Sequence, residues 1–182
     1  KRATSVSDLV TGGQDTVALR VPSHPLAQAL LQAFGGGLAG PSANRFGRVS
    51  ATTAEHVIQE FGASVDCVLD GGACEVGIES TIVDLSGVHP ALLRPGCITA
   101  AQIESVLGEP LAAPDAQSPR TPGALAKHYA PRTPVMLVEG DLIDELARSF
   151  ARQGRRVAVL ARSARRPLIE HLAWITASDS AA

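Results

Sequence analysis

Hydrophobic positions in the first half of the chain switch between two periods. Over residues 16–21 they alternate, with Val17, Leu19 and Val21 on one face and Thr16, Ala18 and Arg20 on the other. That pattern predicts a strand with one apolar face, stopped by Pro22. Leu26, Leu30, Leu31 and Phe34 then recur at helical spacing behind Ser23, a capping residue, and Pro25, which suits a first turn. Gly35-Gly36-Gly37 closes that helix, because glycine accepts the left-handed C-terminal position. Thr52-x-x-Glu55 is a capping-box pattern opening a helix with Val57, Ile58 and Phe61 inward and Gly62 at its end. Residues 65–69 read as a strand closed by Asp70-Gly71-Gly72, and residues 81–85 and 91–93 as a hairpin around Gly87. Thr99-x-x-Gln102 is a second capping box, ahead of Ile103, Val106, Leu107 and a terminating Gly108.

From residue 109 to 134 the pattern gives way to prolines: Pro110, Pro114, Pro119, Pro122, Pro131 and Pro134. This predicts an extended linker with at most a short turn at residues 124–127. Beyond it, residues 135–138, a helix capped by Asp141 (Leu142, Leu146, Phe150) and residues 157–160 form a β-α-β pattern, followed by an amphipathic piece over 168–174. So short a stretch is thin for an independent core, and it reads as the start of a second domain. Strands interleaved with helices indicate an α/β layer architecture. The expected organisation is a domain over residues 1–108, a linker over 109–134 and a β-α-β domain from 135 to 182.

Composition narrows the function classes. Of 182 residues 45% are apolar but only 3% aromatic, so Ala, Val and Leu must fill the core. No apolar run approaches the roughly 20 residues that span a bilayer. The formal net charge of −2 supplies no basic field for nucleic acid, and the arginines at 155–156 and 162–166 flank a predicted strand as solvated edges. Cys67, Cys74 and Cys97 are odd in number and contain no C-x-x-C pair. Neither a disulfide framework nor a zinc site is indicated, and a reduced, cytoplasmic setting is expected. The start, Lys1-Arg2-Ala3-Thr4, has no apolar signal region and reads as a cut through a longer chain.

Two stretches carry candidate chemistry. Gly40-Pro41-Ser42-Ala43-Asn44-Arg45-Phe46-Gly47-Arg48-Val49-Ser50 is a loop by composition, with short hydroxyls, an amide and two arginines beside backbone N–H groups. That inventory suits phosphate or carboxylate oxygens. Gly77-Ile78-Glu79-Ser80-Thr81 places two hydroxyls at the mouth of the apolar pair Ile82-Val83. Ser80 is not set in a nucleophile elbow, and no His–acid pair is placed to activate it. His24, His56, His89 and His171 stand at unrelated spacings and read as structural; His128 is left open by its neighbour Tyr129.

Taken in order, 16-TVALRVP-22, Pro41-Ser42-Ala43-Asn44, 77-GIESTIVD-84, Arg94-Pro95-Gly96, Pro122-Gly123 and His128-Tyr129-Ala130-Pro131 resemble the YrdC-like threonylcarbamoyl-AMP synthases, in their longer form with a proline-rich linker and a Rossmann-like C-terminal domain. The resemblance implies a YrdC-like twisted mixed sheet with helices. It implies ATP-dependent chemistry: threonine and bicarbonate give N-carboxy-threonine, whose carboxylate is adenylated at the α-phosphate, releasing pyrophosphate. A separate transferase complex then moves the threonylcarbamoyl group onto tRNA, so tRNA is an indirect partner, with no membrane involved. Such a site holds several anions together, which makes positioning and cations matter more than a strong base. No general base, nucleophile or protein metal site is assigned, and Mg²⁺ is expected with ATP.

The resemblance assigns roles residue by residue. Arg20, Gly40 and Ser80 match threonine-binding positions; a bidentate guanidinium suits the amino-acid carboxylate. Thr16, Ser42, Ser50, Arg94 and Tyr129 match ATP-binding positions, Tyr129 by folding back over the nucleotide. Asn44 and Thr81 are supporting residues, Asn44 orienting its loop or touching ligand. Ala51, Ala124 and Ala126 stand where the family usually has other residues. The family's N-terminal Lys-x-Arg element is not in this sequence, so Lys1-Arg2 is expected near the middle of the catalytic domain, and this polypeptide alone is expected to hold half an active site and to be inactive. Two other readings remain: a non-catalytic module of the same fold binding tRNA or double-stranded RNA, and a carbamoyl-adenylate enzyme of hydrogenase maturation. The acidic balance weighs against the first, and the lack of Cys-rich zinc segments against the second.

Overall fold

The computed structural model describes residues 1–122, 133–162, 167–169 and 172–177. The chain divides into two compact units, Lys1–Arg132 and Thr133–Ala182.

In the first unit, helix α1 (Asp8–Thr11) is capped by Ser7 and ended by Gly12 at φ 62°. Four residues are too few to show helical periodicity, so the pattern does not reveal it. Helix α2 (Pro25–Phe34) begins one residue later than Ser23 suggests: the His24 ring accepts the Leu26 N–H, and Gly35 at φ 72° closes the helix. Helix α3 (Ala54–Phe61) is likewise capped by Thr53, not Thr52. The Thr52 hydroxyl instead lies 3.2 Å from His56 Nδ1. Helix α4 (Ala100–Leu107) has the full reciprocal box expected of Thr99 and Gln102, and ends at Gly108.

Strands β1 (Ile82–Asp84) and β2 (Ala91–Arg94) form the expected antiparallel pair. Its register slips between Ile82 and Val83: Val83 faces Leu92 while Ile82 faces Arg94, leaving Leu93 as the extra residue of a bulge. The segment after α4 returns along this hairpin, with Ala112 accepting from Leu92 N and donating to Pro90 O.

In the second unit, a 3₁₀ turn (Gly140–Leu142) leads into α5 (Ile143–Arg152), and β3 (Val157–Ala161) pairs in parallel with β4 (Leu172–Thr176). Asp141 sits inside the turn and does not cap; Leu142 holds the N-cap position without a side-chain bond. Ile143, Ala147 and Leu172 are buried. Met136, Val138, Leu146, Phe150 and Val159 are among the side chains around an apolar hollow of about 150 Å³.

Three predicted strands, over 16–21, 65–69 and 135–138, are not strands. Each is extended or irregular backbone without a ladder partner among the described residues. Leu19, Val21 and Leu137 are 88%, 91% and 100% exposed. Alternation signals a face to be covered, but a strand exists only when a neighbour completes its hydrogen bonds. Among the described residues the paired strands form two ladders, β1–β2 antiparallel and β3–β4 parallel.

Candidate functional site

The site grows from the close approach of two loops. Arg94-Pro95-Gly96 leaves β2 and runs directly against the backbone of Glu79-Ser80-Thr81. A Cβ added at Gly96 would lie 2.6 Å from Glu79 O and 2.6 Å from Ser80 C, and closer still to Thr81 N. Only a glycine fits there. Thr81 ties the far end of the approach, its hydroxyl donating to Ile98 O at 2.6 Å. The bulge at Leu93 sits just before Arg94, the kind of irregularity that re-aims a side chain.

The guanidinium of Arg94 donates through Nε to Ser80 O (3.0 Å) and through Nη2 to Ser80 Oγ (3.3 Å). Arg20, sixty residues earlier, donates through Nη2 to the same Ser80 Oγ at 2.7 Å. The two cationic nitrogens therefore stand within about 6 Å of each other, which at effective dielectrics of about 80 to 20 is roughly 0.7–3 kcal/mol of repulsion. Glu79 faces them, its Oε2 lying 3.8 Å from Arg94 Nη2. With both acceptor lone pairs of Ser80 Oγ taken by arginines, its hydroxyl hydrogen is left to donate.

Ser50 joins this cluster through Glu79: Ser50 Oγ donates to Glu79 Oε1 at 2.5 Å. Arg94 also reaches forward, donating through Nη1 to Pro122 O at 3.0 Å. Asn44 ties its own loop, donating to Arg45 O and Arg48 O. Its Oδ1 is shielded from solvent without a partner among the described residues, an acceptor left for a ligand or water. Beside it Ala43 holds φ 50°, a left-handed conformation that costs a side-chain-bearing residue energy and that clusters at ligand-binding loops.

The structure thus gathers Arg20, Ser50, Ser80 and Arg94, with Thr81 adjoining. Among the described residues no hydrogen bond links Thr16, Gly40 or Ser42 to them, and Tyr129 lies outside the described residues. Glu79, which joins Ser50 to Arg94, is absent from the sequence-based assignment. Its place beside Ser80 was visible; its reach to Ser50, 29 residues earlier, was not. Of the described histidines, His24 caps α2 and lies 3.2 Å from Gly71 O, His56 meets Thr52, and His89 lies 3.7 Å from Glu109; His128 and His171 lie outside the described residues. Among the described residues no three His, Cys, Asp or Glu converge as a metal site, and no helix is long and apolar enough to cross a membrane.

Fold and cluster define a mixed α/β protein in which two arginines converge on one serine hydroxyl. The chain belongs to the Sua5/YciO/YrdC family, described as Telomere recombination, which matches residues 1–96; residues 98–181 match the threonylcarbamoyl-AMP synthase C-terminal domain. It is 39% identical over 166 residues to the threonylcarbamoyl-AMP synthase of Pyrococcus abyssi, covering 85% of this chain and 49% of that protein. To the Bacillus subtilis threonylcarbamoyl-AMP synthase it is 41% identical over 162 residues, covering 86% and 47%. The chain thus spans about half the length of these relatives. The structure of P. abyssi Sua5 complexed with L-threonine superposes with a TM-score of 0.82 at 33% identity, over 97% of this chain and 55% of that one. A second P. abyssi Sua5 structure, with a histidine and a tyrosine replaced by alanine, gives 0.73 at 29% identity over 97% and 54%.

Proposed function

We propose that this chain carries part of the site of an L-threonylcarbamoyladenylate synthase, a nucleotidyltransferase using L-threonine, bicarbonate and ATP. The observation that carries this reading is the convergence of Arg20 and Arg94 on one hydroxyl, Ser80. Support comes from family membership and from a relative whose structure holds L-threonine.

In this reading Arg20, Gly40 and Ser80 hold threonine, with the Arg20 fork on its carboxylate. Thr16, Ser42, Ser50, Arg94 and Tyr129 hold ATP, while Asn44 and Thr81 support the two loops. An adjacent histidine and tyrosine were replaced in one of the Sua5 structures, and the single tyrosine here, Tyr129, also follows a histidine. The carboxylate of N-carboxy-threonine attacks the α-phosphorus of ATP; a P–O bond forms, the bond to the β-phosphate oxygen breaks, and pyrophosphate leaves. Arginine cations stabilise the charge spread over the transferring oxygens, so the chain's contribution is positioning and electrostatics rather than a strong base. Mg²⁺ accompanying ATP would supply charge neutralisation at the phosphates, with no residue of this chain assigned to hold it. The product passes to a transferase complex acting on tRNA in the cytoplasm. Residues 1–108 form the catalytic part, 109–134 a linker over the site and 135–182 the Rossmann-like part.

The test is pyrophosphate release by the full protein, dependent on both threonine and bicarbonate. Arg20→Ala is expected to weaken threonine binding by about ten- to a hundredfold, the value of a charge-assisted bond of about 1.5–3 kcal/mol. Release that ignores threonine, or an Arg20→Ala enzyme with normal threonine affinity, would overturn the reading.

A further inference from the structure

We infer that Glu79 is a positioning residue that fixes the hydrogen-bond polarity of the site, so that Ser50 accepts from a donor group of the ligand while Ser80 donates to an anion. The inference rests on the reading above and names what each serine recognises. A carboxylate oxygen is an acceptor, so Ser50, 2.5 Å from Glu79 Oε1, spends its only hydrogen on that bond. What Ser50 Oγ has left is lone pairs. A bare phosphate or carboxylate oxygen is itself an acceptor and finds no hydrogen there. An amine, an amide N–H or a ribose hydroxyl does. Ser80 is the converse: two guanidiniums fill its lone pairs and leave it one hydrogen to give.

Glu79 does this from a sheltered place. Its side chain is 22% exposed, and it stands between Ser50 and Arg94, whose side chain is 12% exposed. Its backbone is clamped by the approach of Gly96, which admits no side chain against Glu79 O. One carboxylate therefore turns Ser50 into an acceptor and faces one edge of Arg94. The cluster acquires two ends of opposite hydrogen-bond character, which suits a ligand carrying an anionic group and an amine or hydroxyl a few ångströms apart.

The test compares wild type, Ser50→Ala, Glu79→Gln and the double variant in the full protein, using inorganic pyrophosphate, adenosine and L-threonine as probes. Pyrophosphate carries acceptors only at its unprotonated oxygens; the other two carry donors. Ser50→Ala is expected to weaken adenosine or threonine by about fivefold, the value of one hydrogen bond, and pyrophosphate by less than about twofold. A glutamine amide can donate as well as accept, so Glu79→Gln unlocks the polarity, and the double variant should then bind no worse than Glu79→Gln alone. Equal loss on all three probes, no loss on any, or single losses that multiply in the double variant would each overturn the inference. A wild-type protein that binds none of the probes would sink the synthase reading instead. In that case denaturant unfolding of the same four proteins without ligand decides Glu79: stability losses that fail to add support its coupling to Ser50, and additive losses refute it.

Discussion

Gly96 shows how a single hydrogen atom can hold a site together. Its place against Thr81 N and Glu79 O means that Gly96→Ala must separate the two loops that present Arg94 and Ser80. Overpacking of this kind costs about 1–3 kcal/mol, and here the displaced backbone is the site's own. The expected result is a lower denaturation midpoint together with weakened anion binding. An alanine variant of unchanged stability would show that the loops yield freely. Ala43 offers the opposite experiment. At φ 50° it sits where glycine is at ease, so Ala43→Gly relieves local strain while enlarging the freedom of the unfolded chain. Ligand affinity should fall if the strain serves pre-organisation, and titration calorimetry would read it. A third residue is accessible to pH. The backbone N–H of Gln117, followed by the Ser118 hydroxyl, holds the Asp115 carboxyl below the usual aspartate range. A lowered folded-state value means the turn's contribution is present above the unfolded pKa and is lost as pH falls through the lower folded one. An NMR titration should therefore place the Asp115 midpoint below the roughly 3.9 of a free aspartate.

Among the elements, the segment leading to Pro122 is fastened by a series of polar contacts. Gln14 grips Arg120 twice, its Nε2 donating to Arg120 O at 3.1 Å and its Oε1 accepting from Arg120 N at 2.6 Å. Arg120 returns a bond from Nη2 to Gly12 O at 3.2 Å, and Leu111 N is held by Glu104 Oε1 on α4 at 2.8 Å. Because Arg94 also holds Pro122 O, loosening this strap should be felt at the site. Gln14→Ala is expected to speed amide exchange at Arg120 while leaving α4 protected; unchanged exchange would show that Arg94 and Glu104 suffice. These contacts also mark the limit of reading the sequence. The α4 capping box lies within four residues and was fully legible, and the β1–β2 hairpin nearly so. The caps of α2 and α3 slipped by one residue because two adjacent polar residues compete for one position. Motif blocks pointed to Arg20, Ser80 and Arg94 singly, but their meeting across 60 and 14 residues is a tertiary fact. Strand partners for 16–21, 65–69 and 135–138 are tertiary facts of the same kind, and alternation alone could not supply them.

At the scale of the whole molecule, apolar coverage becomes the governing quantity. The accessible surface is 14388 Å², whereas two units of these sizes folded separately would expose about 10,000 Å² by the usual size scaling. Large apolar side chains lie open: Leu9, Leu19, Val21, Phe46 and Phe34 are 95%, 88%, 91%, 84% and 61% exposed. Helix α2 has no buried residue although Leu26, Leu30 and Phe34 line one side of it. Uncovered surface of this extent drives association, since each Å² of apolar area removed from water stabilises by roughly 25 cal/mol. The 182-residue polypeptide, expressed by itself, is therefore expected to bind a hydrophobic dye strongly and to sediment as aggregates or oligomers at micromolar concentration. Replacing Leu19 and Val21 by serine tests the cause, because both side chains lie open in extended backbone and neither touches the Arg20–Ser80–Arg94 cluster in any bond described. If the double substitution lowers dye binding and shifts sedimentation toward the monomer, those apolar faces are the adhesive. A wild-type chain that sediments as a dye-silent monomer would mean that the faces find cover within the chain itself.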